Sequence, residues 1–132
     1  MAIQTSDAVA HARLDAVETT IGASAILYIR TGAQPANCAA ADSGTLLATI
    51  NLPSDYMAAA ASRAKAKAGT WQANASAAGT AAHFRIKDSG GTTCHMQGSV
   101  GQGSGDLSLD NTVLANGQQV TVTGFTLNEP NA

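Results

Sequence analysis

At Gly22 the spacing of the apolar residues changes, and that change limits what this chain can become. Before it, Ala10, Leu14, Val17 and Ile21 recur at intervals of four, three and four, the stripe of an amphipathic helix. After it, in "SAILYIRTG", "TLLATINLP" and "QQVTVTGFTLNEP", apolar residues alternate or run together, as strand residues do. The sequence therefore divides into an N-terminal helical arm over residues 1–22 and a β domain over residues 23–132.

The arm has the signals of a helix at both ends. Thr5 or Ser6 can accept hydrogen bonds from its free amides, Asp7 suits the positive end of the dipole, and Gly22 permits a left-handed exit. His11, Arg13, Asp15 and Glu18 take the side away from the stripe. A helix of under five turns is marginal alone, so the stripe must rest on something. That support is either its own domain or a surface offered by further copies or a neighbouring protein.

About seven short strands with turn signals between them follow, which predicts a mainly β fold: an antiparallel β-sandwich or jelly roll behind one N-terminal α-helix. "TGAQPANCAAADSG" reads as a loop and Asn116–Gly117 as a turn. "SDYMAAAAS" is either one or two helical turns or an irregular crossing. In the last strand Val120 and Val122 share one parity, while Phe125 and Leu127 share the other. Both pairs can face one core only if a residue is inserted, and the sequence places a bulge or bend at Gly124.

Most of the reactive side chains lie in "HFRIKDSGGTTCHMQGSV", residues 83 to 100. Pairing Ile86 with Cys94 and Phe84 with Met96 leaves Ser89, Gly90 and Gly91 as a loop in which glycine takes the left-handed position. That register sends Cys94 inward and His83, Arg85, His95 and Gln97 outward, onto a polar wall facing solvent or a partner. Cys94 and His95, on opposite faces, cannot act as nucleophile and base. His83 and His95 become diagonal neighbours, but no third ligand joins them, and no metal is expected.

Composition narrows the function. Only 12% of the 132 residues are charged, 4% are aromatic, and the net charge is -2. Nucleic acid is not the expected partner, since backbone binding needs a concentrated basic face and single strands need aromatic platforms. No run approaches the roughly 20 apolar residues of a membrane helix, and the first residues lack the basic-then-apolar pattern of a signal peptide. Cys38 and Cys94 read as free thiols in a reducing cytoplasm, with a bridge left open for a chain released outside the cell. The glycines from 98 to 105 do not form a phosphate-binding pattern, and the carboxylates fall mostly in turns. No catalytic residue and no cofactor are expected.

Interaction residues are the remaining candidates. Arg63, Lys65 and Lys67 alternate, so in an extended chain they line one side, as a solvated edge or as a contact to an acidic neighbour. Trp71 shares their parity and is either core beyond a bulge or an interface anchor.

The order of segments resembles a known family. "ARLDAVETTIG" is followed by "LYIRTGAQPA", "SGTLLATINLP", "GTAAHFRIKDSGGTTCHMQGSVG" and "GDLSLDNTVLANGQQVTVTGFTLN", an arrangement similar to small virion-associated proteins of tailed bacteriophages. The likeness spans nearly the whole chain and is carried most by "GTLLATINL", "FRIKDSGGT" and the "DLSLDN" to "GQQVTVTGFTL" ending. It implies a non-enzymatic virion building block with a β-sandwich fold, made in the host cytoplasm and residing in the virion. Head decoration is one such use: a cement protein, as a homotrimer, would bind the major capsid protein of the assembled shell and copies of itself. In that use Ala10, Leu14, Val17, Ile21, Arg63, Lys65, Lys67 and Trp71 would be the contact residues. The alternative is a tail-associated structural or receptor-binding component, where a sugar-binding version would use Tyr28, Tyr56 or Trp71.

Overall fold

Ser6 starts the helix. Its side chain accepts a hydrogen bond from the Val9 amide at 3.2 Å, so α1 runs Asp7–Ile21 and ends on Gly22, whose φ of 88° few other residues adopt. The chain is seen in a computed structural model that describes residues 3–129; 39% of residues are in strands and 12% are helical. Met1, Ala2 and the Pro130 that closes the last predicted segment lie outside the described residues.

Ten strands follow: β1 (Ile26–Arg30), β2 (Leu46–Asn51), β3 (Ala64–Ala66), β4 (Gln72–Asn74), β5 (Gly79–Thr80), β6 (His83–Lys87), β7 (Cys94–Gly101), β8 (Leu107–Leu109), β9 (Val113–Leu114) and β10 (Gln119–Asn128). Eight of them form one curled sheet in the order β2-β1-β6-β7-β8-β10-β3, with β4 also on β10, while β5 and β9 pair separately. One pair departs from the expected antiparallel pattern. Val100 and Gly101 of β7 lie parallel to Leu107 and Ser108 of β8. A parallel neighbour usually needs a long crossover. Here "QGSGD" turns the chain back at once, with Gly103 at φ 67° and Gly105 at φ 77°.

The core lies on one face of this sheet. Leu27, Ile29, Ile50, Phe84, Ile86, Leu107 and Leu109 are buried there. Four of the five aromatic side chains line up through it: Tyr56 meets Trp71 at 6.3 Å, Trp71 meets Phe125 at 5.6 Å, and Phe125 meets Phe84 edge-on at 5.6 Å. The expected bulge is present. Between Val122 and Gly124 the pairing with β8 slips, which brings Val120, Val122 and Phe125 into the same core.

Two expectations need correction. The hairpin pairs Ile86 with Met96 and Phe84 with Gly98, then slips so that Lys87 faces Cys94. His95 is the inserted residue, and the parity of β7 reverses there. Gly91 does take the left-handed position, at φ 68°, but within the longer turn of residues 88–93. The second concerns the opposite face: His83 and Arg85 keep the outward parity but do not face solvent, being 1% and 2% exposed, because the chain of residues 31–45 covers them. His83 faces Ser99 across the ladder, well away from His95, so the diagonal histidine pair does not form.

The segment after Pro53 is an irregular crossing, fastened at the isolated bridges Met57–Lys67 and Ala61–Ala64. Ala61 and Ala64 exchange two hydrogen bonds of 2.9 Å around Ser62 and Arg63, both left-handed at φ 51° and 59°. That is the turn whose twist suits a two-residue hairpin, made here without glycine.

Candidate functional site

Polar groups that the alternation sends outward are gathered in one place. The loop of residues 31–45 folds back over β1, β6 and β7 and covers the face opposite the core. Its neck is closed by Thr31 and Thr45, whose backbones bond at 3.0 Å while the Thr31 hydroxyl accepts from the Thr45 amide at 2.8 Å. Gly44 is required at that neck: it has φ 71°, and any β-carbon there would run into the Thr31 carbonyl.

Arg85 holds the loop from below. Its Nη1 donates to the Ala40 carbonyl at 3.0 Å and Asp42 Oδ1 at 2.6 Å, and its Nη2 to the carbonyls of Asn37 and Cys38 at 3.1 and 3.0 Å. Its Nε donates to Gln97 Oε1 at 3.1 Å, and Gln97 donates onward to the Pro35 carbonyl at 2.8 Å. His83 Nδ1 lies 2.9 Å from the Gly32 carbonyl, which can only accept, so Nδ1 carries the proton. Only an arginine has enough donors, in a fixed plane, to bind four loop oxygens and a glutamine at once.

Asp42 gathers positive charge in the same loop. Besides Arg85 it accepts from Lys87 at 2.7 Å and Arg30 at 3.3 Å. The Lys87 hydrogen bond, reinforced by Arg85 against the opposing effect of burial, holds its carboxyl down at about 2. Burial works to lower the pKa of Arg85, but the bond to Asp42 and nearby negative charge outweigh it, so the guanidinium stays charged.

Cys94 lies under this loop too, because the slip at His95 turns it away from the apolar core. Its sulfur is 2.7 Å from that of Cys38. Burial, then the hydrogen bond to Cys94, pushes the Cys38 thiol up to about 11. The separation of Cys94 from His95 by faces holds, but Cys94 sits with Arg85 and not with Ile86.

The candidate contact residues are engaged within the chain. Ala10, Leu14 and Ile21 are buried and Val17 packs half-buried against the core, so the helix stripe rests on its own domain. The acidic neighbour of the basic run is α1 itself. Arg63 donates to the Thr5 carbonyl and hydroxyl, Asp7 and the Glu129 carbonyl, and its backbone amide donates to His11 Nε2 at 3.1 Å. Lys65, 2% exposed, reaches Asp15 at 2.8 Å and Glu18 at 3.2 Å. Its burial disfavours the charge, yet the two carboxylates raise its pKa, and Lys65 lowers that of Asp15 in return. Lys67 donates to the Gly69 carbonyl and sits 5.9 Å from the Trp71 ring.

Trp71 is not an interface anchor. It is fully buried and donates its Nε1 proton to the Ala68 carbonyl at 3.0 Å. Trp71 and fully buried Tyr56 are thereby withdrawn as sugar platforms. Among the described residues no helix is long and apolar enough to cross a membrane.

Among the described residues, the large apolar side chains left exposed are Ile3 and Val9 on the arm and Val113 on β9. No family model, no curated protein and no solved structure matches the chain.

Proposed function

We propose that this chain is a non-enzymatic structural protein of a bacteriophage virion: a decoration or cement protein of the β-sandwich kind that binds the assembled head shell as a homotrimer. The resemblance to small virion-associated proteins motivates the assignment. Its most specific segments correspond to β2, to β6 with its turn, and to the run from β8 to β10.

The observation that carries this proposal is the internal neutralisation of charge. Six of the seven lysines and arginines, namely Arg13, Arg30, Arg63, Lys65, Arg85 and Lys87, are paired with the chain's own carboxylates. A surface prepared in this way meets a partner with few lysine or arginine side chains to strip of water or to order, two of the costs of association. Weak contacts of this kind become strong when repeated over a shell, because many copies act together. Ile3, Val9 and Val113 are the apolar side chains available for such contacts, in place of the helix stripe.

The test is to label purified particles with gold-tagged antibody against the chain and count the gold by electron microscopy. Gold spread over heads supports decoration. Gold confined to tails replaces it with the tail-associated role, and unlabelled particles remove the virion assignment altogether.

A further inference from the structure

We propose that Cys38 and Cys94 are a covalent closure site: they form an intrachain disulfide when the folded protein meets an oxidising small-molecule disulfide. This inference is independent of the role proposed above, since it rests on the placement of two side chains.

Three features prepare the bond. The sulfurs lie 2.7 Å apart, less than an ångström beyond the ~2.05 Å of a disulfide, although the residues are 56 positions apart in sequence. Both are held in place: Arg85 fixes the Cys38 carbonyl at 3.0 Å, and Cys94 opens β7 opposite Lys87. Both are half-buried and border a small opening lined by Ala39, Ala41 and Thr92, so a small reagent can reach them.

The chemistry is thiol–disulfide exchange with a reagent of the oxidised-glutathione class. One cysteine loses its proton and attacks a sulfur of the reagent, forming a mixed disulfide and expelling one equivalent of the small thiol. The second cysteine loses its proton and attacks the protein sulfur of that mixed disulfide. The Cys38–Cys94 bond forms and the second equivalent leaves. The two protein thiols are oxidised by two electrons, and the reagent is reduced to two thiols. The product ties the loop of residues 31–45 to β7 and adds a covalent link to what Arg85 and Asp42 hold by hydrogen bonds.

The experiment uses the whole purified chain, incubated with oxidised glutathione or with dithiothreitol, then denatured, alkylated with iodoacetamide and weighed intact. The expected result is a monomer that takes up no alkyl group after oxidation and two after reduction. The oxidised form should melt roughly 10 °C higher, and a Cys38→Ser, Cys94→Ser double variant should lose this difference. Two alkylated thiols after oxidation would overturn the proposal, as would a stable glutathione adduct on either cysteine. A disulfide-linked dimer on a non-reducing gel would do the same. The wild-type masses decide the matter even if the variant does not fold.

Discussion

Arg85 of β6 and Asp42 of the loop over residues 31–45 meet at 2.6 Å although 43 positions separate them. The arginine side chain is 2% exposed and the aspartate 29%, so the pair sits at the boundary between the covered face and water. A guanidinium in that position is tolerable only while its partners remain.

Arg85→Met tests this. It keeps much of the volume but takes the only arginine donors from the carbonyls of Cys38 and Ala40 and leaves the Asn37 carbonyl with the Ala40 amide alone. Losing these buried hydrogen bonds costs about 1–3 kcal/mol, read as a lower urea midpoint. Backbone amides of residues 31–45 should exchange with deuterium faster, while those of β1 and β2 change less. Arg85→Lys should rescue little, because an ammonium cannot span four loop oxygens.

Asp42 also sets the behaviour in acid. Its carboxyl is held at about 2, well below the ~3.9 of an unfolded chain. The unfolded chain therefore binds the proton first, and the stability contributed by Asp42 is full above about pH 4 and lost as pH falls toward 2. Asp15, lowered by its bond from Lys65, and Asp88, lowered by the Thr92 amide, act in the same direction. Denaturant midpoints measured from pH 5 to pH 2 should fall for the wild type. They should fall less steeply for Asp42→Asn, which starts lower.

How far the sequence revealed this arrangement depended on what kind of signal each part carries. The helix and its caps, the strand after Gly22 and the bulge at Gly124 were legible, because parity and capping residues are local. The hairpin register was not, because His95 is an inserted residue with nothing in its chemistry to mark it as one. The covering loop was legible as a loop but not as a cover. Arg85 binds it mainly through backbone carbonyls, which every residue carries and no sequence pattern displays. For Arg63 and Lys65 the alternation fits a solvated edge as well as an acidic neighbour, and the neighbour is the chain's own helix, whose Asp7 and Asp15 lie 56 and 50 positions away.

The turn at Ser62 and Arg63 separates local strain from long-range contact. Both residues are left-handed, a conformation asparagine tolerates better than serine. Ser62 is exposed. Ser62→Asn should raise stability by about 0.5 kcal/mol, a rise in Tm of about 2 °C. Arg63→Gly relieves the same strain but removes the donors to Thr5, Asp7 and Glu129. It should lower stability by about 1–3 kcal/mol and speed amide exchange in α1. If Arg63→Gly stabilised the protein, the helix would not be held by this residue.

Tyr56 governs the alkaline side. Its hydroxyl donates to the Gly22 carbonyl at 3.1 Å, and burial, helped by the charge of Glu18, pushes its pKa from 10.0 up to about 12. The unfolded chain thus gives up the phenolic proton first. The contribution of Tyr56 is full below pH 10 and is lost as pH rises toward 12. Tyr56→Phe removes both the titration and the hydrogen bond. At neutral pH the variant should be weaker by about 1 kcal/mol, the net value of one buried bond. Across the alkaline window the wild type should lose stability faster than the variant, since every other titrating group is common to both. The two curves should therefore cross between about pH 10 and 12 in denaturant titrations followed by tryptophan fluorescence, for which Trp71 beside Tyr56 is the reporter. Parallel curves would mean that the phenol ionises in the folded protein as readily as in the unfolded chain.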